Sequence, residues 1–77
     1  MTFVKRIGPG PHQYCANTVG CPDIWELDDG DFAVIGVDIT AAAEMLPPTA
    51  GCGPDERIVR IPRKTLVFAK SDIPNQI

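Results

Sequence analysis

The stretch Asp23-Ile-Trp-Glu-Leu-Asp-Asp-Gly-Asp-Phe-Ala-Val-Ile-Gly-Val37 decides the fold, because it has the pattern of a β-hairpin. Apolar and β-branched residues flank Asp29-Gly30, a pair that favours two-residue hairpin turns, in which both central residues need positive φ. Such a turn sets the register and places Trp25 opposite Val34. We therefore predict two antiparallel strands at the centre of the fold, within residues 23–37.

This register makes both faces of the hairpin apolar. One face carries Trp25, Leu27, Phe32 and Val34, and the other carries Ile24, Ala33, Ile35 and Val37. A ribbon with one face in water would alternate apolar with polar residues. We therefore expect helices, further strands or a second copy of the chain to cover both faces.

The flanking segments predict more short elements. Residues 2–7 are typical of a first strand, and residues 57–61 alternate basic with apolar residues as a third strand with one solvated face. Residues 40–46 predict a short helix, in which Thr40 accepts hydrogen bonds from the first-turn amides and three alanines supply high helical propensity. Pro47-Pro48 would end it.

The segment 62–71 predicts a second short helix. Pro62 suits a first helical turn, and Leu66, Ala69 and Ile73 would then share one stripe. A strand at 64–70 remains the alternative, because Leu-Val-Phe is also typical of strands. The predicted class is α+β: a small antiparallel sheet around the Asp-Gly hairpin, with two short helices.

Length and composition predict one domain over residues 1–77, with a Gly- and Pro-rich loop at 8–20. The chain has 77 residues, of which 44% are hydrophobic and 22% charged, as in ordinary globular proteins. No stretch approaches the roughly 20 apolar residues of a membrane span, and the first charges follow apolar residues, unlike a secretory signal. With three cysteines, an odd number, we expect free thiols and a cytoplasmic location.

Charge divides the chain into an acidic middle and a basic end. Every charged residue from Asp23 to Glu44 is acidic, and every one from Arg57 to Lys70 is basic. Two such regions suit another protein, or a second copy in a homodimer, whereas a net charge of −3 disfavours nucleic acid. Candidate interaction residues are the basic strip Arg57, Arg60, Arg63 and Lys64, together with Trp25, which either packs in the core or anchors a partner.

Ligand chemistry is confined to His12, Cys15, Cys21 and Cys52. One imidazole and three thiolates would complete a tetrahedral zinc site, although the tight Cys-x2-Cys spacing of structural zinc sites is absent. A thiol-based redox protein is a further alternative, because Cys15 lies three residues from His12. No catalytic motif is present, so we expect neither catalysis nor a cofactor.

The run Gly20-Cys-Pro-Asp-Ile-Trp-Glu-Leu-Asp-Asp-Gly-Asp-Phe-Ala-Val-Ile-Gly36 resembles a family of short, functionally unassigned actinobacterial proteins. The resemblance continues at Glu56-Arg-Ile-Val-Arg-Ile61 and at Ala69-x-x-Asp72-Ile73, and so covers about residues 20–74. Members of that family lie near helix-turn-helix regulators, which implies an accessory or regulatory role and no catalytic residue. We therefore expect a non-enzymatic protein-interaction module, with the zinc-stabilised and redox alternatives open.

Overall fold

The computed structural model describes residues 1–9 and 21–77 and has an α+β fold, as predicted. The predicted loop 8–20 lies mostly outside these residues. In chain order, the elements are β1 (Phe3–Arg6), β2 (Asp23–Leu27), β3 (Phe32–Ile35), β4 (Val37–Asp38), a 3₁₀ helix (Thr40–Met45), β5 (Val59–Arg60), α1 (Arg63–Ala69) and a second 3₁₀ helix (Lys70–Asp72). Three antiparallel strands form one sheet in the order β1-β2-β3, and β4 pairs with β5 in a second.

The hairpin β2–β3 is confirmed, but its predicted register is wrong by one residue. Trp25 pairs with Ala33 instead of Val34, and Ile24 pairs with Val34 instead of Ile35. Since side chains alternate between faces, a one-residue shift exchanges the faces of one strand relative to the other. Trp25 therefore shares its face with Ala33 and Ile35.

The turn explains this shift, because the hairpin loop has three residues, Asp28 to Gly30. The Leu27 N–H donates to Asp31 O at 2.8 Å, and the Gly30 N–H donates to Leu27 O at 3.1 Å. In such loops a tight turn is followed by a bulge residue in the left-handed conformation. Gly30 is this residue, with a φ of 92°, and glycine is favoured there because it has no Cβ. The Asp29 carboxylate accepts the Asp31 N–H at 2.9 Å and closes the loop.

One face of the three-stranded sheet packs against α1. Ile7 lies next to Ile24, whose carbonyl accepts its N–H at 2.9 Å, and both contact Ala69 in a small buried cluster. Ile61 packs against this cluster from the segment between β5 and α1. The expectation that a helix covers the hairpin is thus met at Ile24, whereas Phe32 and Val34 on the same face are exposed, as are Ile35 and Val37.

The helix α1 confirms the prediction for residues 62–71 and excludes the alternative strand at 64–70. Its buried residues are Thr65 and Ala69, one turn apart. Leu66 and Ile73 are exposed, so the predicted stripe is wrong except for Ala69. Seven residues make α1 the longest helix in the described ranges, far short of the roughly 20 that cross a membrane.

The end of α1 is tied to the end of β1 through a glycine. The Gly8 N–H donates to the Asp72 carboxylate at 2.8 Å. A Cβ at residue 8 would lie 3.1 Å from the Ala69 Cα, and Gly8 has a φ of 79°. Glycine therefore permits both the close approach and the backbone conformation.

Thr40 links the two strands of the second sheet, because its side chain contacts the end of β4 and the residue before β5. The predicted helix at 40–46 is a 3₁₀ helix, and Thr40 does not cap it as expected. The Thr40 hydroxyl instead accepts the Ile58 N–H at 3.0 Å and donates to Asp38 Oδ1 at 2.6 Å. The Asp38 carboxylate also accepts the Thr40 N–H at 2.9 Å. The polar contacts of Thr40 thus connect two chain segments.

These contacts predict a pH dependence of stability centred on Asp38. The Thr40 hydroxyl, then the Thr40 N–H and, more weakly, Arg57 hold the pKa of Asp38 below its ordinary value of 3.8. The fold therefore favours the ionised carboxylate, whose stabilising effect is complete above pH 3.8 and is lost as pH falls through the lowered pKa. We expect Asp38→Asn to be less stable than the wild type near neutral pH, with the difference vanishing in acid. Thermal unfolding of both proteins across this range tests it, and a pH-independent difference would contradict it.

Candidate interaction surface

Asp23 organises a network of polar contacts at the start of β2. Its side chain is almost fully buried, and it accepts two hydrogen bonds from Arg6 Nε and one from Arg6 Nη2, at 3.1–3.3 Å. It also accepts the Trp25 indole N–H at 2.9 Å and the Ile24 N–H at 3.1 Å. A buried carboxylate needs such compensation, and these donors satisfy both of its oxygens.

The same network fixes the orientation of Trp25. The Arg6 guanidinium lies 4.7 Å from the centre of the Trp25 ring, within the range of cation–π attraction. Phe3 meets the indole edge-on, with ring centres 6.2 Å apart. Phe3 and Arg6 reach the same face because β1 has an irregularity between Phe3 and Lys5. The half-buried Trp25 is therefore a pre-oriented aromatic residue.

Two depressions meet at Ile35. One, of about 330 Å³, is lined by Phe3, Trp25 and Ile35. The other, of about 230 Å³, lies at the end of β3, and its lining residues include Ile35, Val37 and Arg60. We call the continuous region formed by Phe3, Trp25, Ile35, Val37 and Arg60 the Trp25 surface.

The Trp25 surface is largely apolar and open to solvent. Phe3 is 58% exposed and Ile35 52% exposed, and Val37 is exposed still further. An exposed apolar region of this kind is the candidate interaction surface of the described residues. The large apolar side chains of the buried core, in contrast, are few in the described residues: Ile7, Ile24 and Leu27.

The predicted interaction residues differ in whether they line the Trp25 surface. Trp25 and Arg60 both belong to the Trp25 surface and are linked through Ile35. Arg57, Arg63 and Lys64 are exposed and line neither of its depressions. Of the basic strip, only Arg60 therefore lines the Trp25 surface, where the Arg6 guanidinium also lies against Trp25.

The predicted zinc ligands do not form a site in the described residues. Cys21 is disulfide-bonded, so its sulfur is not a thiolate that could bind zinc. Cys52 is a free thiol that donates to Glu56 O at 3.3 Å. His12 and Cys15 lie outside the described residues. The expectation of free thiols is thus confirmed for Cys52 and wrong for Cys21.

The sequence does not indicate Phe3, Arg6 or Ile35 as members of a site. Phe3 and Arg6 come from β1, and their contact with Trp25 depends on how β1 pairs with β2. Ile35 was expected on the opposite face from Trp25 and reaches the same face only in the observed register. The sequence does indicate the contact between Asp23 and Trp25, because they are two residues apart on a predicted strand and so share a face.

No family model, no curated protein and no solved structure matches the chain. Its fold and surface define a class only: a small α+β domain that presents an apolar surface around an oriented tryptophan.

Proposed function

We propose that this protein is a non-enzymatic interaction module that binds another protein through the Trp25 surface. The observation that carries the proposal is an exposed apolar region whose central aromatic side chain is already held in place. Tryptophan and arginine are the residues most often found at the energetic centre of protein interfaces. Fixing Trp25 before binding lowers the entropy that association must overcome.

The surface suits an apolar segment bordered by acidic side chains. Phe3, Trp25 and Ile35 offer an apolar depression. Arg60 lines the adjoining depression, beyond Ile35, and its charge would attract a carboxylate on the partner. A helix-turn-helix regulator is the partner that the resemblance to actinobacterial accessory proteins suggests.

Two substitutions on the Trp25 surface test the proposal against a matched control. Phe3→Ser and Ile35→Ser each remove an exposed apolar side chain from the surface. Leu66→Ser removes a side chain from α1 that is 55% exposed, close to the 52% of Ile35. We expect the first two variants to weaken partner binding at least about tenfold, the effect of losing 1.4 kcal/mol, and Leu66→Ser to leave binding unchanged.

The measurement is capture of proteins from the native host by immobilised wild type and variants, followed by titration of the captured protein. Circular dichroism must show that each variant is folded. A partner that binds all variants equally, or that is lost only with Leu66→Ser, would contradict the proposal.

A further inference from the structure

We infer that β3 pairs with β3 of a second copy of this chain, so that two three-stranded sheets join into one of six strands. This inference goes beyond the binding of another protein through the Trp25 surface, because it concerns the edge of the sheet. Within the described residues, β2 is the only strand paired with β3. In this part of the chain, the second edge of β3 is therefore open to another strand.

The open edge consists of apolar residues, whose outward backbone groups pair with no other strand of the described ranges. Because the Leu27 N–H bonds to Asp31 O, the alternation of an antiparallel ladder directs Asp31, Ala33 and Ile35 towards β2. Phe32 and Val34 then direct their N–H and C=O groups away from the sheet. The strand Phe-Ala-Val-Ile contains no charged residue or proline, the usual devices that protect an exposed edge.

The edge is complementary to itself in an antiparallel pair. Outward-directed residues must face each other, and pairing Phe32 with Val34 of the second copy satisfies all four outward groups of each strand through a twofold axis. Ala33 then lies on the axis, opposite Ala33 of the second copy. The aromatic and β-branched side chains meet across the new strand pair.

Charge favours a second copy over an unrelated strand. Asp29 and Asp31 lie at one end of β3, and Arg60 lies at the other end, close to Gly36. Among the described residues, neither Asp31 nor Arg60 forms an ion pair. Antiparallel pairing exchanges the ends, so the acidic loop of each copy lies at the end of β3 at which Arg60 of the other copy lies.

Cysteine cross-linking tests the register directly, in a Cys52→Ser background that removes the free thiol. Across the axis, Ala33→Cys would place two thiols in a non-hydrogen-bonded pair, with Cα atoms about 4.5 Å apart, a separation that a disulfide spans. Ile35→Cys is the control on the same strand and face, because residue 35 of the second copy would lie about 13 Å away along the strand. We expect mild oxidation to give a covalent dimer with Ala33→Cys and not with Ile35→Cys.

Association is measured separately by light scattering from micromolar to near-millimolar protein. We expect a dimer in the wild type and a monomer with Val34→Pro, which removes an outward N–H without touching the ladder to β2. Arg60→Glu should weaken the dimer at least about tenfold, and adding Asp31→Lys should restore it, with wild-type association decreasing at high salt.

Three results would overturn the inference: a monomer throughout, equal cross-linking at both positions, or a dimer that persists with Val34→Pro while Ala33→Cys fails to cross-link. These results are distinct from failure of the proposed function. A monomer that still captures a partner through Phe3 and Ile35 would overturn only the dimer. A dimer whose surface variants capture the same proteins as the wild type would overturn only the proposed function.

Discussion

Ile24→Ala should lower the free energy of unfolding by about 2–5 kcal/mol. Ile24 is 6% exposed and packs with Ile7 and Ala69 where β1, β2 and α1 meet. The substitution removes apolar contacts and leaves a cavity that the surrounding elements fill only in part. A domain of this size has a total stability of only about 4–12 kcal/mol, so the loss would be a large share of it.

Urea unfolding followed by circular dichroism measures this loss. If the free energy of unfolding depends on urea with an unchanged slope, the variant and the wild type expose similar surface on unfolding. Ile35→Ala is the matched control, because it deletes the same atoms from the neighbouring strand at a position that is 52% exposed. We expect it to cost less than about 1 kcal/mol in dilute protein, where association does not contribute. Equal losses at the two positions would show that the buried cluster does not hold the fold together.

The elements of this fold could be predicted because their signals are local. Asp29-Gly30 between apolar runs predicts a hairpin, and Pro62 followed by good helix formers predicts α1. The register could not be predicted in the same way, because Asp-Asp-Gly fits both a two-residue and a three-residue loop. The choice depends on Gly30 taking the left-handed position after a tight turn, which the pattern of residue types does not specify.

This one-residue difference determines the candidate site. In the expected register, Ile35 lies on the face opposite Trp25, and no depression forms between them. In the observed register both side chains share a face. Arg6 and Asp23 show a similar limit, because 17 residues separate them and their ion pair depends on the pairing of β1 with β2. Contacts between strands that are distant in sequence leave no mark on local periodicity.

The odd number of cysteines led to an expectation of free thiols, and the buried, disulfide-bonded Cys21 corrects it. A count of cysteines says only that one of three must remain unpaired within a single chain. It cannot say whether the other two are close enough to bond, since that depends on distances in the folded chain. The consequence for a domain with so few buried residues is a covalent contribution to its stability.

Cys21→Ser should lower the free energy of unfolding by about 2–4 kcal/mol, the usual effect of losing a disulfide. Cys52→Ser is the matched control: Cys52 is free, and a hydroxyl there can still donate to Glu56 O. We expect the control to change stability by less than about 1 kcal/mol. Thermal unfolding with and without a reductant tests whether the loss comes from the disulfide. Reductant should lower the melting temperature of the wild type to that of Cys21→Ser and leave the melting temperature of this variant unchanged. If reductant leaves the melting temperature of the wild type unchanged, even after unfolding in its presence, the Cys21 disulfide does not stabilise the protein in solution.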